Sequence, residues 1–413
     1  MTLVTDQPSL ASLLTSAPTG IRRTVLWGAA ITAFGGLLFG SDTGVISGAL
    51  LFIGKDFHGL SSANRELLVG ILLLGAVVGA VVAGKIADRI GRRRTVLSTA
   101  LVFIVGVLLA AFCPGYVGLL VARFVIGSAS MVVPLYIGEC VPPRDRGTLV
   151  SCSQLAITFG ILASYLVDFG LSSSQNWRLM FGLAVVPALL MFVGMLFRRE
   201  GPQWPIAQGL LNPKVRYAVG IGIALAAFQQ ITGIDTVVYY APTLLSEAGF
   251  GQVTALLANV VSGAVNLGLT LIAIRLLDRT GRRPLLLTGT AGMAVGMLVV
   301  GVTFLACGSH LHGVGAYVAV GGLLIYTGAF AVGLGPVFWL LIREIYPVMI
   351  RGRAMSVATV ANWGVNFVVT VSFLTLLGVV GNAGTFFLFG SLTVVALAYV
   401  YLRVPESETR CPA

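Results

Sequence analysis

Long apolar stretches alternate with short polar loops along almost the whole chain, and this pattern predicts a membrane protein. A helix needs about 20 apolar residues to cross the hydrocarbon core of a bilayer. Counting such stretches predicts an all-α membrane protein with twelve transmembrane helices. The predicted helices cover residues 24–53, 65–86, 95–114, 116–138, 148–168, 177–197, 216–248, 252–277, 284–307, 313–343, 354–377 and 382–403.

An internal repeat divides the twelve helices into two sets of six. Asp88-Arg89-Ile90-Gly91-Arg92-Arg93 follows the second helix of the first set, and Asp278-Arg279-Thr280-Gly281-Arg282-Arg283 follows the second helix of the second set. Two similar halves with a site between them are typical of secondary transporters. We therefore predict two pseudo-symmetric six-helix bundles. Their expected bounds are 24–199 and 216–403, with an N-terminal segment 1–23, a linker 200–215 and a tail 404–413.

The composition agrees with a polytopic membrane protein. Of the 413 residues, 57% are hydrophobic and only 10% are charged, which is more apolar surface than a water-soluble domain can bury. The net charge of +11 comes mainly from Arg and Lys in alternate loops, which is the positive-inside pattern rather than a nucleic-acid-binding surface. These loops place both termini in the cytoplasm of a multi-pass plasma-membrane protein, with the lipid bilayer as its partner.

Other kinds of chemistry find little support in the sequence. The five cysteines are scattered without metal-ligand spacing, and His58, His310 and His312 fall in loops. The chain has no G-x-x-x-x-G-K-S/T phosphate loop, so transport driven by ATP is not indicated. We expect no enzyme activity, no metal, no cofactor and no nucleic-acid partner, and we expect a monomer.

The stretch at 228–235 is a polar cluster inside an apolar run. Gln229, Gln230 and Asp235 would face hydrocarbon there unless they line a cavity, and Gly233 offers a place where the helix can loosen. A binding site for a small polar solute is one explanation, and a set of interhelical hydrogen bonds is the other.

Several further motifs occur in order along the chain. They are Phe39-Gly40-Ser41-Asp42-Thr43-Gly44-Val45-Ile46-Ser47-Gly48, the two Asp-Arg-x-Gly-Arg-Arg loops, Pro134-Leu135-Tyr136-Ile137-Gly138-Glu139, Asn176-Trp177-Arg178, Phe228-Gln229-Gln230, Tyr239-Tyr240-Ala241-Pro242, Gly335-Pro336-Val337-Phe338-Trp339, Asn362-Trp363 and Val404-Pro405-Glu406-Ser407. In this combination the chain resembles the sugar porter family of the major facilitator superfamily across nearly all its length. The resemblance implies a monosaccharide substrate, either a hexose such as glucose or a pentose such as xylose.

The resemblance also implies a sugar site lined by amides and aromatic rings. Amides both donate and accept hydrogen bonds, as sugar hydroxyls do, and an aromatic face suits the C–H groups of the sugar ring. Each amide taken alone is as well explained by interhelical packing. By family pattern the substrate-binding residues are Gln154, Gln229, Gln230, Asp235, Asn266, Trp339, Asn362, Trp363, Phe39 and Phe330.

Asp42 in the first helix and Arg123 in the fourth are expected to pair, because each alone in hydrocarbon would be costly. Proton-coupled members of the family resemble this chain in carrying an acid at the Asp42 position, whereas facilitative uniporters commonly carry Asn. The resemblance therefore implies symport of a proton with the sugar by alternating access. A structural ion pair is the alternative for the two residues, and a facilitative uniporter or, less favoured, a sugar sensor is the alternative for the protein.

A set of charged residues recurs at the predicted cytoplasmic ends of both halves. By family resemblance these residues form networks that close the cytoplasmic side when the site opens outward, and a plain topology signal is the alternative. The predicted cytoplasmic gate consists of Asp88, Arg89, Arg92, Arg93, Glu139, Arg146, Asp278, Arg282, Arg283, Glu344 and Arg351.

The chain departs from the family pattern at four places. Ser41 stands where many members have Tyr, the fourth helix looks one turn short before Pro134, and 204–212 lacks the cytoplasmic helices that sugar porters normally carry there. Asp235 stands where the family has Asn, which removes a hydrogen-bond donor and adds a titratable group. We expect this substitution to alter affinity, selectivity or pH dependence.

Overall fold

The computed structural model describes residues 19–57, 59–130, 146–197, 213–346 and 351–404. Within these ranges the backbone alone is described at residues 19–32, 83–85, 88, 92, 146–150, 213–215, 278 and 351–353.

The described chain is almost entirely helical. The first half contains α1 (Thr19–Asp56), α2 (Ser62–Ile90), α3 (Arg92–Phe112), α4 (Tyr116–Ser130), α5 (Arg146–Gly170), α6 (Trp177–Gly182) and α7 (Val185–Leu196). The second half contains α8 (Pro213–Ile231), α9 (Ile234–Glu247), α10 (Gln252–Thr280), α11 (Arg282–Cys307), α12 (Val314–Val332), α13 (Leu334–Ile345) and α14 (Arg351–Arg403).

These helices confirm the twelve predicted crossings within the described ranges. Three crossings are broken helices, formed by α6 with α7, α8 with α9, and α12 with α13. The 53-residue α14 would be about 80 Å long at 1.5 Å per residue, which is more than twice the thickness of the hydrocarbon core. Gly381, with φ 79° and ψ 168°, divides it into the eleventh and twelfth crossings. The predicted end of the fourth helix, at 131–138, lies outside the described residues.

We call the side of the bundle where α1 begins the terminal face, and the side where α1 ends at Asp56 the distal face. Since successive crossings are antiparallel, the even number of crossings brings α1 and α14 to the same terminal face. Large apolar side chains cover the outside of the bundle, as expected of a surface in contact with lipid. They include the exposed residues Val81, Leu101, Val121, Leu190, Leu271, Leu298 and Val394.

The sequence repeat has a structural counterpart at the terminal face. Gly91 and Gly281 join the second and third helices of their halves with φ values of 87° and 84°, which a residue with a side chain rarely adopts. The Arg93 guanidinium donates to the Leu196 carbonyl at 2.7 Å, and the Arg283 guanidinium donates to the Tyr401 carbonyl at 2.7 Å. In each half, therefore, the same arginine binds the end of the sixth crossing.

Glycines on one face of α1 let it approach α5 closely. Gly36, Gly40, Gly44 and Gly48 recur every four residues and face α5. A Cβ at Gly36 would lie 2.7 Å from the Ser153 carbonyl oxygen, and small residues at such an interface let two helix backbones come into contact. Because α1 also carries Asp42, this packing fixes where that acid lies.

Among the described residues, four polar contacts join the two halves on the distal side of the bundle. Arg65 and Glu247 form an ion pair at 3.3 Å. The Asn259 amide donates to the Ser47 hydroxyl at 3.0 Å, and the Tyr165 hydroxyl donates to the Val238 carbonyl at 3.2 Å. The two carboxylate oxygens of Glu66 accept from the backbone N–H and the hydroxyl of Thr375, at 2.7 and 2.8 Å. The halves are thus held together on the distal side.

Gly40→Ala should destabilise the fold, because the added methyl group would overlap the Ile157 backbone on α5. Overpacking of this kind costs about 1–3 kcal/mol. Gly268→Ala on α10 is the control, since a Cβ there meets nothing within 4 Å and alanine favours the helix by about 1 kcal/mol. Thermal unfolding in detergent should show a lower Tm for Gly40→Ala and an equal or higher Tm for Gly268→Ala. Equal Tm values for both variants would contradict the close packing of α1 on α5.

Candidate functional site

The seventh crossing is broken in the middle of the membrane, next to the predicted polar cluster. Gly233 adopts the left-handed conformation with φ 85°, and it separates α8 from α9. The Thr232 carbonyl, which has no helical partner there, accepts a hydrogen bond from the Tyr326 hydroxyl of α12 at 2.8 Å. Unwound backbone is tolerated at this depth when its polar groups find hydrogen-bond partners within the protein, and Tyr326 supplies such a partner here.

An amide network lies directly before the break. Asn362 on α14 donates to the Gln229 side-chain oxygen at 2.8 Å and to the Ala226 carbonyl at 3.1 Å. The Gln230 amide donates to the Asn362 side-chain oxygen at 3.1 Å, and the Gln229 amide donates to the Leu334 carbonyl at 2.8 Å. Gln229, Gln230 and Asn362 are all buried. The network therefore joins three crossings of the second half.

Two polar atoms beside this network are buried and have no hydrogen-bond partner in the described structure. They are the Gln230 side-chain oxygen, which is an acceptor, and the Trp363 indole N–H, which is a donor. A buried polar atom without a partner costs about 1–3 kcal/mol, so such atoms usually have a use. A ligand with hydroxyl groups could pair with both kinds of atom.

An aromatic contact joins the halves at this level. The Phe39 ring of α1 meets the Trp363 ring of α14 edge to face, with centroids 5.0 Å apart. Trp363 follows Asn362 in sequence, so an aromatic surface lies next to the amide network.

Asp235 begins a second polar group on the far side of the break. Its carboxylate accepts a short hydrogen bond from the Asn366 amide, and the Thr370 hydroxyl donates to the Asn366 side-chain oxygen at 2.9 Å. Asn362, Asn366 and Thr370 recur every four residues, so they form one polar stripe along α14.

Asp42 and Arg123 form a buried ion pair in the first half. The Arg123 guanidinium lies 3.0 Å from one Asp42 oxygen, with only 1% and 3% of the two side chains exposed. Arg123 also donates to the Leu68 carbonyl at 3.3 Å, and its guanidinium lies 5.7 Å from the centre of the Phe181 ring. The second Asp42 oxygen has no partner in the described structure. Removal of one member of such a pair leaves an uncompensated buried charge, which costs about 3–5 kcal/mol.

The remaining predicted sugar-site residues are not hydrogen-bonded to this network within the described ranges. Gln154 is half-buried on α5, and Asn266 is buried on α10 with the Thr270 hydroxyl 3.5 Å from its side-chain oxygen. Phe330 and Trp339 are half-buried on α12 and α13, and Trp339 packs on Phe338 with centroids 4.7 Å apart. The structure therefore brings together Phe39, Gln229, Gln230, Asn362 and Trp363, with Asp235 on the same crossing just past the break, and it places Gln154, Asn266, Phe330 and Trp339 on other crossings.

The predicted gate residues are described only in part. Arg282 forms an ion pair with Glu344 at 3.0 Å, and Arg89 is exposed. Arg93 and Arg283 bind helix-end carbonyls, which is a contact that the sequence did not suggest. The side chains of Asp88, Arg92, Glu139, Arg146, Asp278 and Arg351 lie outside the described residues.

Sequence reasoning missed several polar residues of this region. The spacing of four between Asn362, Asn366 and Thr370 was a detectable signal of a polar helix face. Tyr326 gave no such signal, because its hydrogen bond depends on where two crossings meet.

Twelve crossings in two halves, with polar groups buried at a broken helix near their interface, define a secondary transporter of the major facilitator type. The chain belongs to the family described as "Sugar (and other) transporter", whose model matches residues 28–212 and 207–411. It is similar to a D-xylose transporter of Levilactobacillus brevis (35% identity, 92% of each chain) and to a galactose-proton symporter of Escherichia coli (strain K12) (34% identity, 92% of this chain and 90% of the relative).

Solved structures agree with this assignment. The fold matches a crystal structure of a D-xylose-proton symporter with a TM-score of 0.80 at 30% identity, covering 94% of this chain and 100% of the other. It also matches a partially occluded inward-open form of the Escherichia coli xylose transporter XylE, with a TM-score of 0.79 at 28% identity, covering 94% and 100%. The alignments with the two relatives above each run over 423 positions, so those relatives carry residues that this 413-residue chain lacks.

Tyr326→Phe should destabilise the protein, because it leaves the Thr232 carbonyl buried without a partner. The expected cost is about 1–3 kcal/mol. Tyr217→Phe is the matched control, because Tyr217 is exposed at the start of α8. Thermal unfolding in detergent should show a lower Tm for Tyr326→Phe alone. The same Tm for both variants would show that the break does not depend on Tyr326.

Proposed function

We propose that the protein is a proton-coupled symporter of a monosaccharide in the plasma membrane, working by alternating access. The sugar site would lie at the broken seventh crossing, and proton coupling would depend on Asp42 and Arg123. The domain bounds 24–199 and 216–403, the roles of the site and gate residues, and a monomeric state belong to the same proposal.

The observation that supports a sugar most strongly is the pair of unpartnered polar atoms beside the amide network. Gln230 offers a free acceptor and Trp363 a free donor, next to an aromatic surface formed with Phe39. A sugar hydroxyl is both a donor and an acceptor, and the C–H groups of the ring suit an aromatic face. The relatives named for D-xylose, galactose and glucose support the same class of substrate.

Proton coupling is supported by the burial of the Asp42–Arg123 ion pair. A proton on Asp42 would cancel one charge of the pair and release Arg123, which would then favour another conformation. A proton can shift the equilibrium only by its difference in affinity between the two conformations. The relative named as a galactose-proton symporter agrees with this scheme.

The distribution of positive charge supports a cytoplasmic location for the terminal face and both termini. The distal face would then be extracellular. Since the halves are joined by Glu66–Thr375, Arg65–Glu247 and two further pairs on that side, the described conformation would be closed to the outside. The likeness to an inward-open form of XylE supports this direction.

The experiment that tests the substrate class is counterflow of labelled xylose, glucose and galactose in proteoliposomes. At least one of these sugars should exchange against an internal unlabelled pool. If no hexose or pentose competes for uptake, the assignment to sugars is wrong.

Asp42→Asn should separate coupling from binding. With one proton per sugar, a gradient of one pH unit supports about tenfold accumulation, because it supplies about 1.4 kcal/mol. The variant should retain counterflow but lose accumulation driven by the pH gradient. Asp56→Asn, on the same helix but exposed at the distal face, is the control and should accumulate sugar normally. Full accumulation by Asp42→Asn would exclude this residue from coupling, and counterflow without accumulation by the unsubstituted protein would indicate a uniporter.

Asp235→Asn should tighten sugar binding several-fold at neutral pH. The amide can still accept the hydrogen bond from Asn366, and it supplies a donor at every pH while removing a titratable group. Calorimetric titration of sugar at several pH values measures the effect. Asp235→Ala is the comparison, since it leaves the Asn366 amide without its acceptor and should weaken binding. An unchanged affinity and pH profile in Asp235→Asn would make Asp235 a bystander.

A further inference from the structure

Asp168 is a buried acid that the coupling scheme above does not use. It lies two residues before the end of α5, on the distal side of the bundle, and it is 0% exposed. One carboxylate oxygen accepts a hydrogen bond from the Gly48 backbone N–H of α1 at 3.2 Å. The other oxygen is buried and has no partner in the described structure.

The charged groups around Asp168 are already engaged or lie far along their helices. Asp42 on α1 is paired with Arg123, the Lys55 ammonium donates to Gln175 at 2.6 Å, and Arg178 on α6 pairs with Asp56 at 2.5 Å. The other titratable groups on α5, on the helices against it and on α9 are Tyr165, Asp235, Tyr239, Tyr240 and Glu247, and, toward the terminal face, Arg22, Arg23, Arg146, Cys152, Arg275, Asp278, Arg279, Arg343 and Glu344.

An ionised carboxylate with one neutral donor and no cation is costly in such a place. Burial of an uncompensated charge is strongly unfavourable, and a carboxyl group avoids this cost by taking up a proton. Asp42 has a cation at 3.0 Å and can stay ionised, whereas Asp168 has none among its described contacts. In this conformation the two acids therefore differ in what holds them, a cation for Asp42 and a single backbone N–H among the described contacts of Asp168.

Asp168 packs directly against α1 at Gly48. A Cβ at Gly48 would lie 2.5 Å from both the Cβ and the Cγ of Asp168, so a glycine is needed for the two helices to meet there. The carboxyl group fills the space that a side chain would occupy.

The immediate neighbours of Asp168 take part in the distal contact between the halves. Ser47, next to Gly48, accepts the hydrogen bond from Asn259 of the second half, and Tyr165, one turn before Asp168, binds the Val238 carbonyl. Tyr165, Asn259, Ser262 and Thr327 line a small cavity of about 20 Å³, which is enough for one water molecule. Separation of the halves would break both contacts and open this cavity to the distal solution.

We propose that Asp168 is a second proton-binding site, which takes up a proton from the distal solution as the distal side closes and returns it to that solution when the side opens. This proposal rests on the alternating access of the proposed function. The proton is not carried across, so it changes the pH dependence of closure and leaves the number of protons transported with each sugar unchanged. Alkaline distal solution should hold the protein open on that side, because ionised Asp168 opposes closure.

The test is equilibrium exchange of labelled sugar in proteoliposomes, with equal pH on both sides, in an Asp42→Asn background that lacks the first acid. Exchange by Asp42→Asn should fall at least tenfold as the pH is raised through the alkaline range, and exchange by Asp42→Asn/Asp168→Asn should stay within twofold. Asp42→Asn/Asp56→Asn is the control and should fall like Asp42→Asn. The proposal would be overturned if exchange by Asp42→Asn/Asp168→Asn fell as much as exchange by Asp42→Asn. It would also be overturned if exchange by Asp42→Asn did not fall as the pH is raised.

A second measurement does not depend on sugar. Infrared spectra of the purified Asp42→Asn protein at neutral pH should contain the C=O absorption of a protonated acid, part of which disappears in Asp42→Asn/Asp168→Asn. No difference between the two spectra would overturn the proposal whether or not the protein transports sugar. Absence of sugar exchange with the infrared difference present would instead count against the proposed function alone. If the amide variant does not fold, Asp168→Ser takes its place in both measurements.

Discussion

Hydrocarbon cannot satisfy hydrogen bonds, and the interior of this protein depends on that constraint. Each polar group at membrane depth must find a partner within the protein or the ligand, at a cost of several kcal/mol where it does not. Tyr326 supplies the partner for the opened backbone at Thr232, and Asn362 supplies partners for Gln229. The Gln230 oxygen and the Trp363 N–H, which have no partner among the described residues, lie directly beside the hydrogen-bonded amides of Gln229 and Asn362.

The first helix links this polar interior to the contact between the halves. Its glycine face lies against α5, Asp42 meets Arg123 of α4, and Ser47 meets Asn259 of the second half. Phe39, further toward the terminal face, meets Trp363 beside the amide network. All of these contacts are made by one helix, so its placement against α5 fixes them together.

Periodicity and repetition predict most of the fold, because a bilayer leaves few alternatives to apolar helices of fixed length. The positions of Gln229, Gln230 and Asn362 in one cluster also followed from the sequence, through family resemblance. The bond from Tyr326 to Thr232 and the bonds from Thr375 to Glu66 did not. Both depend on the relative height of two helices, which the hydrophobic pattern of each helix leaves undefined.

Asp42 and Asp168, both buried in the first half, show that the surroundings of a buried acid decide what the acid does. Asp42 has Arg123 at 3.0 Å, so a proton must compete with that cation and its binding changes the pairing. Among the described residues Asp168 has the Gly48 N–H as its hydrogen-bond partner and no cation, so a proton there would depend instead on whether water reaches the carboxyl group. The first arrangement would respond to movement of a charged partner and the second to separation of the halves. The helix pair α1 and α5 would therefore respond to both events.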